Sequence, residues 1–502
     1  MLRKIRIAVS VVLLTLITFF FIDFAGLTPQ NGFLTRIQFV PALLALNITV
    51  LFCLFAATFL FGRVYCSFIC PLGIWQDVVN WFAGRVNRKK KYKFRKARTI
   101  LRYSMLATVI VAFLSGMTFL LGLLDPYSMY ARISVNVFKP VYLEANNLIA
   151  ALLEKFDNYT LYYVDVAVRS VLSFCVAVVS LLVVSWLSFK YGRLYCNTIC
   201  PVGTFLGVIS KYSLFKIRID ENKCNSCGLC ATKCKASCIN SKEHQIDYSR
   251  CVDCFDCLDV CKQKALGYTY VTASKPVKES NESRRNFLTV AGVSLFVSPL
   301  TKAKEVTAKF EGGKPYTKNH PLSPPGSISA EHLLKHCTAC HLCVSRCPSH
   351  VLTPALFEYG LGGIMQPRMS FEKGFCNFDC TICSEVCPNG AILPLTKEEK
   401  HLTQVGRVVF VEENCIVYKD DTSCGACSEH CPTQAVSMVP YRGGLTIPHI
   451  NPDICVGCGG CEYVCPARPY RAIYIEGNEV HQQAVPFKES EKHEEAPDDF
   501  GF

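Results

Sequence analysis

The stretch CTACHLCVSRCP, Cys337 to Pro348, supports two incompatible chemistries. Its first five residues spell C-x-x-C-H, the pattern by which two thioethers and an axial histidine hold a c-type haem. The whole of it spells C-x2-C-x2-C-x3-C-P, the run by which bacterial ferredoxins hold a 4Fe-4S cluster. Reading Cys337 and Cys340 as haem attachments would orphan Cys343 and Cys347 and rob a partner run of a ligand. The cluster reading uses all four, and His341 then occupies a variable position in the loop. Zinc fits less well, because zinc sites use two pairs of cysteines and not repeated triplets.

The chain has 31 cysteines in 502 residues, gathered in short runs with cysteine-poor stretches between them. Disulfide scaffolds are small and cysteine-dense throughout, and a chain this long can build cores without staples. In two-cluster ferredoxins the fourth cysteine of one run ligates the cluster of the other. That exchange assigns Cys224, Cys227, Cys230 and Cys261 to one cluster, and Cys251, Cys254, Cys257 and Cys234 to a second. These two runs carry Lys235 and Lys262 where proline is usual, and Cys238 is surplus, read as a buried thiol. Four further runs close with proline. Cys337, Cys340, Cys343 and Cys387 form a third set, and Cys376, Cys380, Cys383 and Cys347 a fourth. Cys415, Cys424, Cys427 and Cys465 form the fifth, and Cys455, Cys458, Cys461 and Cys431 the sixth. Six 4Fe-4S clusters are expected.

A different pattern lies nearer the amino terminus. GRVYCSFICPLG, Gly62 to Gly73, recurs as GRLYCNTICPVG, Gly192 to Gly203. On helices Cys66 and Cys70, like Cys196 and Cys200, lie at i and i+4 on one face. Each pair is half of a four-thiolate metal site, which suits an iron-sulfur cluster, zinc or Cu(I). Lone Cys53 and Cys175 read as small hydrophobes in packed helices. All eleven histidines lie at or beyond His244, which excludes haem held by imidazole in this part.

The elements that must position these thiols are apolar. Four runs approach membrane-spanning length, Ile7–Ile22, Val40–Phe61, Tyr103–Leu124 and Leu172–Phe189. Arg3, Lys4 and Arg6 precede the first, and a dense series from Arg85 to Arg102 joins the second to the third. By the positive-inside rule both segments are cytoplasmic. Much of the net charge of +13 is therefore a topology signal, and no nucleic-acid partner is implied. Ser283 to Leu300, SRRNFLTVAGVSLFVSPL, has twin arginines before a short apolar run, as in a twin-arginine export signal. From Phe287 to Ala303 it would rise about 26 Å as a helix, marginal for a fifth span. Retained as a span, it would put everything after it on the outer side.

The expected fold is a multidomain membrane protein, an α-helical transmembrane bundle joined to α+β two-cluster ferredoxin-like domains. Its divisions are a four-span domain over 1–215, a cytoplasmic ferredoxin domain over 216–272, a linker and fifth span over 273–303, and a Pro/Gly-rich tether over 304–330. A periplasmic-side polyferredoxin over 331–485 and an acidic tail over 486–502 follow.

With these motifs in view, residues 1 to about 270 resemble the NapH-type membrane ferredoxins and the related carboxy-terminal part of the NosR proteins. Residues from about 283 on, with SRRNFL, the PPGS stretch Pro324–Ser327 and four cluster runs, resemble the exported NapG/MauM-type ferredoxins. The resemblance implies a quinol dehydrogenase-like electron carrier in a bacterial inner membrane, with ferredoxin domains on both sides. Its implied partners are membrane lipid, the quinone pool and a periplasmic-side reductase. C-x3-C-P pairs also occur in the CcoG-type cupric reductases, so copper at Cys66, Cys70, Cys196 and Cys200 is the alternative to an additional iron-sulfur cluster there. No flavin or nucleotide motif is present.

Overall fold

The computed structural model describes residues 1–23, 32–87, 91–166, 169–270 and 314–486. The twin-arginine segment with its expected span at Phe287–Leu300, and nearly all of the acidic tail, lie outside the described residues.

The amino-terminal part is a bundle of helices: α1 (Leu2–Ile22), α2 (Phe39–Leu44), α3 (Ile48–Phe61), α4 (Pro71–Val86), α5 (Thr99–Leu114), α6 (Thr118–Leu124), α7 (Pro126–Ile133), α8 (Lys139–Glu154), α9 (Val171–Tyr191) and α10 (Pro201–Ser210). Among the described residues two helices, α1 and α9, are long and apolar enough to cross a membrane. The other two expected spans are interrupted. The run from Val40 breaks between α2 and α3, where the Asn47 side chain accepts from Val50 N at 3.2 Å and starts a fresh helix. The run from Tyr103 breaks between α5 and α6 at Gly116, which adopts φ +82°. Hydropathy cannot register either break, because both halves of each run are apolar.

The bundle is apolar outside and partly polar inside. Val12, Leu16, Phe52, Val111, Leu182 and Val183 are exposed, whereas Ser10, Thr58, Ser173 and Ser188 are buried. Small polar residues between helices let backbones approach closely, an arrangement favoured where the solvent is itself apolar. Cys53 and Cys175 fall on the exposed face and not in packed interiors. Contrary to the sequence reading, they contribute nothing to the core.

Two cysteine-rich units flank the bundle. In the proximal unit, β1 (Phe215–Ile219) pairs antiparallel with β2 (Leu266–Tyr270), Phe215 facing Tyr270 and Ile219 facing Leu266. The distal unit holds three antiparallel ladders. They are β3 (Leu352–Pro354) with β4 (Pro367–Met369), β5 (Thr403–Phe410) with β8 (Ile473–Gln483), and β6 (Val436–Pro440) with β7 (Thr446–Ile450). Residues 314–330, read from composition as a tether, are a strap laid on this unit. Asn319 N and His320 N donate to Glu476 Oε1 at 2.8 Å, and Lys318 pairs with Glu462 at 2.8 Å. Proline and glycine here serve extended packing, not freedom.

Helix α1 touches both units. Near its start Arg3 reaches Asp256 and Asp259 of the proximal unit at 2.9 and 3.0 Å. At its end Arg346 of the distal unit donates to Phe20 O at 3.0 Å and pairs with Asp23 at 3.3 Å. Twenty-one residues of helix rise about 30 Å. The proximal and distal units therefore sit at opposite ends of the bundle.

Candidate metal centres

The glycines, cysteines and proline of the duplicated motif do the same work in both copies, and its arginines cross between them. Gly62 and Gly192 end α3 and α9 at φ +80° and +77°, and a Cβ at either would strike the proximal unit, at the Asp253 carboxylate or the Lys235 carbonyl. The next residue, arginine, crosses to the other copy. Arg193 Nη1 donates to Cys66 O at 2.6 Å, and Arg63 Nη2 donates to Cys196 O at 3.2 Å. Cys66 and Cys196 sit on the single-turn helices Tyr65–Phe68 and Leu194–Thr198, whereas Cys70 and Cys200 are the extended residues that precede α4 and α10, so the single helix face expected for each pair is broken. Pro71 and Pro201 then open α4 and α10 at a position where a missing N–H costs nothing. Gly73 and Gly203 let each of these helices lie against the carbonyl of the first cysteine of its own copy, where any side chain would collide.

The result is one site. Cys70 and Cys200 are each electrostatic neighbours of both Cys66 and Cys196, and all four are buried. Donors point at the sulfurs. Gln76 Nε2 reaches Cys196 Sγ at 3.1 Å, Arg63 Nη2 reaches Cys66 Sγ at 3.6 Å, and Gly203 N reaches Cys200 Sγ at 3.3 Å. Such bonds stabilise thiolates and set the potential of a metal centre. Sequence reasoning passed over Arg63, Arg193 and Gln76. The two arginines were legible as invariant parts of the duplication; Gln76 has no such signal.

On the proximal side, Arg193 bonds Asp77 through Nε at 3.0 Å and Nη2 at 2.8 Å, and Asp77 also meets Arg6 at 2.6 Å and Lys235 at 3.3 Å. Burial alone would raise the Asp77 carboxyl, yet Arg193, Lys235 and Arg6 hold it well below the usual carboxylate range. Arg193 is also an electrostatic neighbour of both Cys196 and Cys254, so it stands between the central thiols and those of the proximal unit.

Within the proximal unit, Cys257 has Cys254, Cys251 and Cys234 as electrostatic neighbours, and Cys230 has Cys224 and Cys227. Cys261 Sγ accepts from Ala265 N at 3.3 Å; no contact among those described ties it to the Cys224 set. Surplus Cys238 is buried 3.5 Å from Cys234 Sγ.

The distal unit brings together cysteines from paired runs. Cys387 neighbours Cys337, Cys340 and Cys343; Cys347 neighbours Cys376 and Cys383. Cys465 neighbours Cys415 and Cys427; Cys431 neighbours Cys455, Cys458 and Cys461. Cys380 and Cys424 lie in the same groups. Burial pushes the thiols up, Cys340 and Cys427 to about 12 and Cys455 to about 11, so metal binding must displace their protons. Cys376 N donates to Cys458 O at 2.9 Å, and Cys461 neighbours Cys427. The four sets thus follow in a line, beginning with the Cys337 set and ending with the Cys415 set.

His341 cannot serve a haem. Its Nε2 meets Met365 O at 3.0 Å and its Nδ1 meets Asn136 Nδ2 at 3.2 Å, so both ring nitrogens are engaged. Burial lowers its pKa to about 3. Among the described residues, no three His, Cys, Asp or Glu side chains converge tightly enough to hold a single metal ion. A tetrahedral ion with bonds of about 2.3 Å would draw its sulfurs to roughly 3.8 Å apart.

The corner between α6 and α7 joins the central thiols to the first distal set. Tyr195 of the second motif donates to Leu124 O at 2.8 Å. Arg132 Nη2 donates to Gly122 O at 2.7 Å, while its Nη1 reaches Thr338 O and Ala339 O, between Cys337 and Cys340, at 3.3 and 3.2 Å. A Cβ at Gly122 would run into the Thr338 carbonyl.

Comparison with known proteins agrees with the thiol geometry. A family model described as a 4Fe-4S binding domain matches residues 43–90 and 174–220, which contain the two copies of the motif. Two models described as 4Fe-4S dicluster domains match residues 247–351 and 422–468. An uncharacterised protein of Methanocaldococcus jannaschii is 28% identical over 281 residues, 54% of this chain and 87% of its own length. The ferredoxin-type protein NapF of Escherichia coli is 28% identical over 157 residues, 31% of this chain and 87% of its own length. The ferredoxin-type protein NapG of Escherichia coli is 28% identical over 205 residues, 38% of this chain and 84% of its own length. No solved structure matches.

Proposed function

We propose that this chain, a polyferredoxin of the ferredoxin-type iron-sulfur electron-transfer proteins, carries electrons across a bacterial inner membrane to a reductase on the outer side. Electrons come from quinol or from a cytoplasmic donor. One observation carries the reading: four buried thiols lie in the bundle between two cysteine-rich units at its opposite ends. About 30 Å of hydrocarbon separates aqueous domains on the two faces of a membrane, so a conduit needs a redox centre between them. Bound clusters would supply one-electron oxidation and reduction at each thiol set. Six ferredoxin-type sets and the central one would hold about 28 iron atoms, four per cluster.

The chain's own residues support this placement. The apolar outer face of the bundle suits lipid. The cationic loop between α4 and α5 lies on the proximal unit, where Tyr92 N donates to Thr232 O at 3.0 Å and Arg250 donates to Arg95 O at 2.7 Å. A cytoplasmic proximal unit follows from the positive-inside rule, and the distal unit is then outside. The 4Fe-4S family model that matches both copies of the motif favours a cluster over the copper alternative.

The test uses the full chain in sealed vesicles, sorted so that the proximal unit faces the medium. Dithionite supplied outside should reduce the distal clusters in the lumen, followed by electron paramagnetic resonance. The quartet Cys66→Ser, Cys70→Ser, Cys196→Ser and Cys200→Ser should block that reduction, while detergent-solubilised protein still reduces fully. Distal reduction at near the normal rate in the sealed quartet would remove the central site from the path.

A further inference from the structure

A cavity of about 1150 Å³ opens between the bundle and the distal unit, at the end of the bundle away from the proximal unit. Its bundle wall is the face of α8 with Lys139, Pro140 and Leu143, and the start of α9 with Val171 and Leu172. Its distal wall includes Val344, Cys347, Ile382 and Val386. Cys347 is the thiol that neighbours Cys376 and Cys383, so a molecule in this cavity would lie against the second distal set. None of the chemistry described above uses this space.

Its polar groups are few and placed. Arg169 Nη2 bonds His350 Nδ1 at 2.6 Å, which fixes that ring's own proton on Nε2 when the ring is neutral. Among the described residues, Arg169 Nη1 and Thr353 Oγ1 are buried and have no hydrogen-bond partner, and both residues line the cavity. Buried donors left unpaired cost free energy, and each such group calls for an explanation. Lys139, by contrast, is satisfied by Ser345 O and Oγ at 2.8 and 2.9 Å. Exposed Asp165 brings a carboxylate to the rim, in reach of water. Exposed Val171 and the exposed apolar face of α8, with Val141, Leu148 and Leu152, put lipid-compatible surface beside the opening.

We propose that this cavity binds the head group of a membrane quinol and delivers its electrons straight to the distal unit at Cys347. The ligand must be apolar enough to leave the bilayer, must accept hydrogen bonds from Arg169 and Thr353 through ring oxygens, and must reduce a thiolate-held centre at contact distance. A quinol meets all three conditions. In the reaction it loses two electrons and its two hydroxyl protons and departs as quinone. The iron-sulfur cluster that the set closed by Cys347 would hold would accept the electrons one at a time, and the clusters of the further distal sets would pass them on. The protons pass to the Asp165 carboxylate and from there to water on the same side. The proposal rests on the electron-transfer reading above and adds to it a separate point of supply that bypasses the bundle.

The test uses the full chain in detergent or nanodiscs with a short-tailed quinol, monitoring cluster reduction optically and by electron paramagnetic resonance. Quinol should reduce the distal clusters. Arg169→Leu and the near-isosteric Thr353→Val should raise the quinol concentration for half-maximal reduction about tenfold or more, from the loss of one hydrogen bond to a charged or buried donor. Arg169→Lys should recover part of the Arg169→Leu defect. Cluster signals and reduction by dithionite should be unchanged in all three, which controls for folding. Normal quinol dependence in both Arg169→Leu and Thr353→Val overturns the proposal. Competition with quinol by millimolar sulfate or inorganic phosphate overturns it too, because the cavity would then be a site for soluble oxyanions. Clusters that dithionite itself cannot reduce would instead sink the electron-transfer reading.

Discussion

The two cysteine-rich units are docked to the bundle by different physics. The proximal unit is held by charge: Arg3, Arg6, Arg193 and Lys235 interlock with Asp77, Asp256 and Asp259. The distal unit is held chiefly by donors on the bundle that reach backbone carbonyls of its cysteine loops. Thr118 Oγ1 donates to Leu334 O at 2.5 Å and lies 3.2 Å from Cys337 O, Arg132 reaches Thr338 and Ala339, and Lys139 reaches Ser345. A charge network tolerates shifts of an ångström, whereas carbonyl bonds fix the loop that carries the thiols. The difference suggests that the distal joint sets geometry and the proximal joint sets affinity and local potential.

The largest effect should come from breaking the charged joint. Arg193→Ala would leave Asp77 buried with Arg6 and Lys235 alone, and loss of one partner from a buried pair costs about 3–5 kcal/mol. Thermal unfolding in detergent should show the proximal unit loosening first, with the central iron lost alongside it. Full iron content and an unchanged midpoint would mean that the network contributes little. At the other joint Arg132→Leu should cost about 2–3 kcal/mol through carbonyls left unpaired. Hydrogen exchange should then rise across 337–347 and stay unchanged across 251–261; equal rises in both would erase the distinction between the joints.

Acid should separate the joints as well. Burial holds His341 at about 3, so the neutral ring's stabilisation is complete above its unfolded value of about 6.5 and is lost as pH falls toward 3. Asp77 is held well below the carboxylate range, so its share is complete above about 3.9 and is lost only below that. Between about pH 6 and 4 the distal joint should therefore weaken while the proximal joint holds, with exchange at 337–347 as the readout. His341→Gln should flatten this acid response. A proximal joint that opens first would reverse the assignment.

Much of this was legible in the sequence, because cluster ligation demands cysteines at fixed spacing and the duplication repeated the arginine, tyrosine, proline and glycine frame along with the thiols. What could not be read was whatever broke the repeat. At the positions equivalent to Gln76 and Asp77 the second copy carries Leu206 and Gly207, so the donor to Cys196 and the anchor of the charged joint belong to the first copy alone. Gly207 serves instead to admit the Ser249 carbonyl. The helix breaks at Asn47 and Gly116 were hidden inside uniformly apolar runs, and the strap at 314–330 shared the composition of a loose linker. His341 read as a variable loop residue, and no spacing signalled that its two nitrogens would meet Asn136 and Met365.

The smallest expected effect tests the same asymmetry at the motif tyrosines. Tyr65 and Tyr195 occupy equivalent positions and both neighbour the central thiols, yet Tyr65 donates to Gln38 Oε1 at 2.9 Å whereas Tyr195 donates to Leu124 O at 2.8 Å. Leu124 continues through the corner that Arg132 ties to the Cys337–Cys340 loop. Gln38 precedes α2 and has no described bond to that loop. Tyr65→Phe removes two hydrogen bonds, the one to Gln38 and the one accepted from Phe39 N at 3.2 Å, and Tyr195→Phe removes one; at about 1 kcal/mol each, neither change should unfold the bundle. Electron tunnelling weakens where a bonded contact becomes a gap, so Tyr195→Phe should slow reduction of the distal clusters from the proximal side severalfold. Tyr65→Phe should leave that rate near normal. Stopped-flow reduction of the two variants in sealed vesicles measures the difference directly. Equal slowing would show that both copies of the motif feed the distal unit, and the joint would then be symmetric in function although it is not in structure.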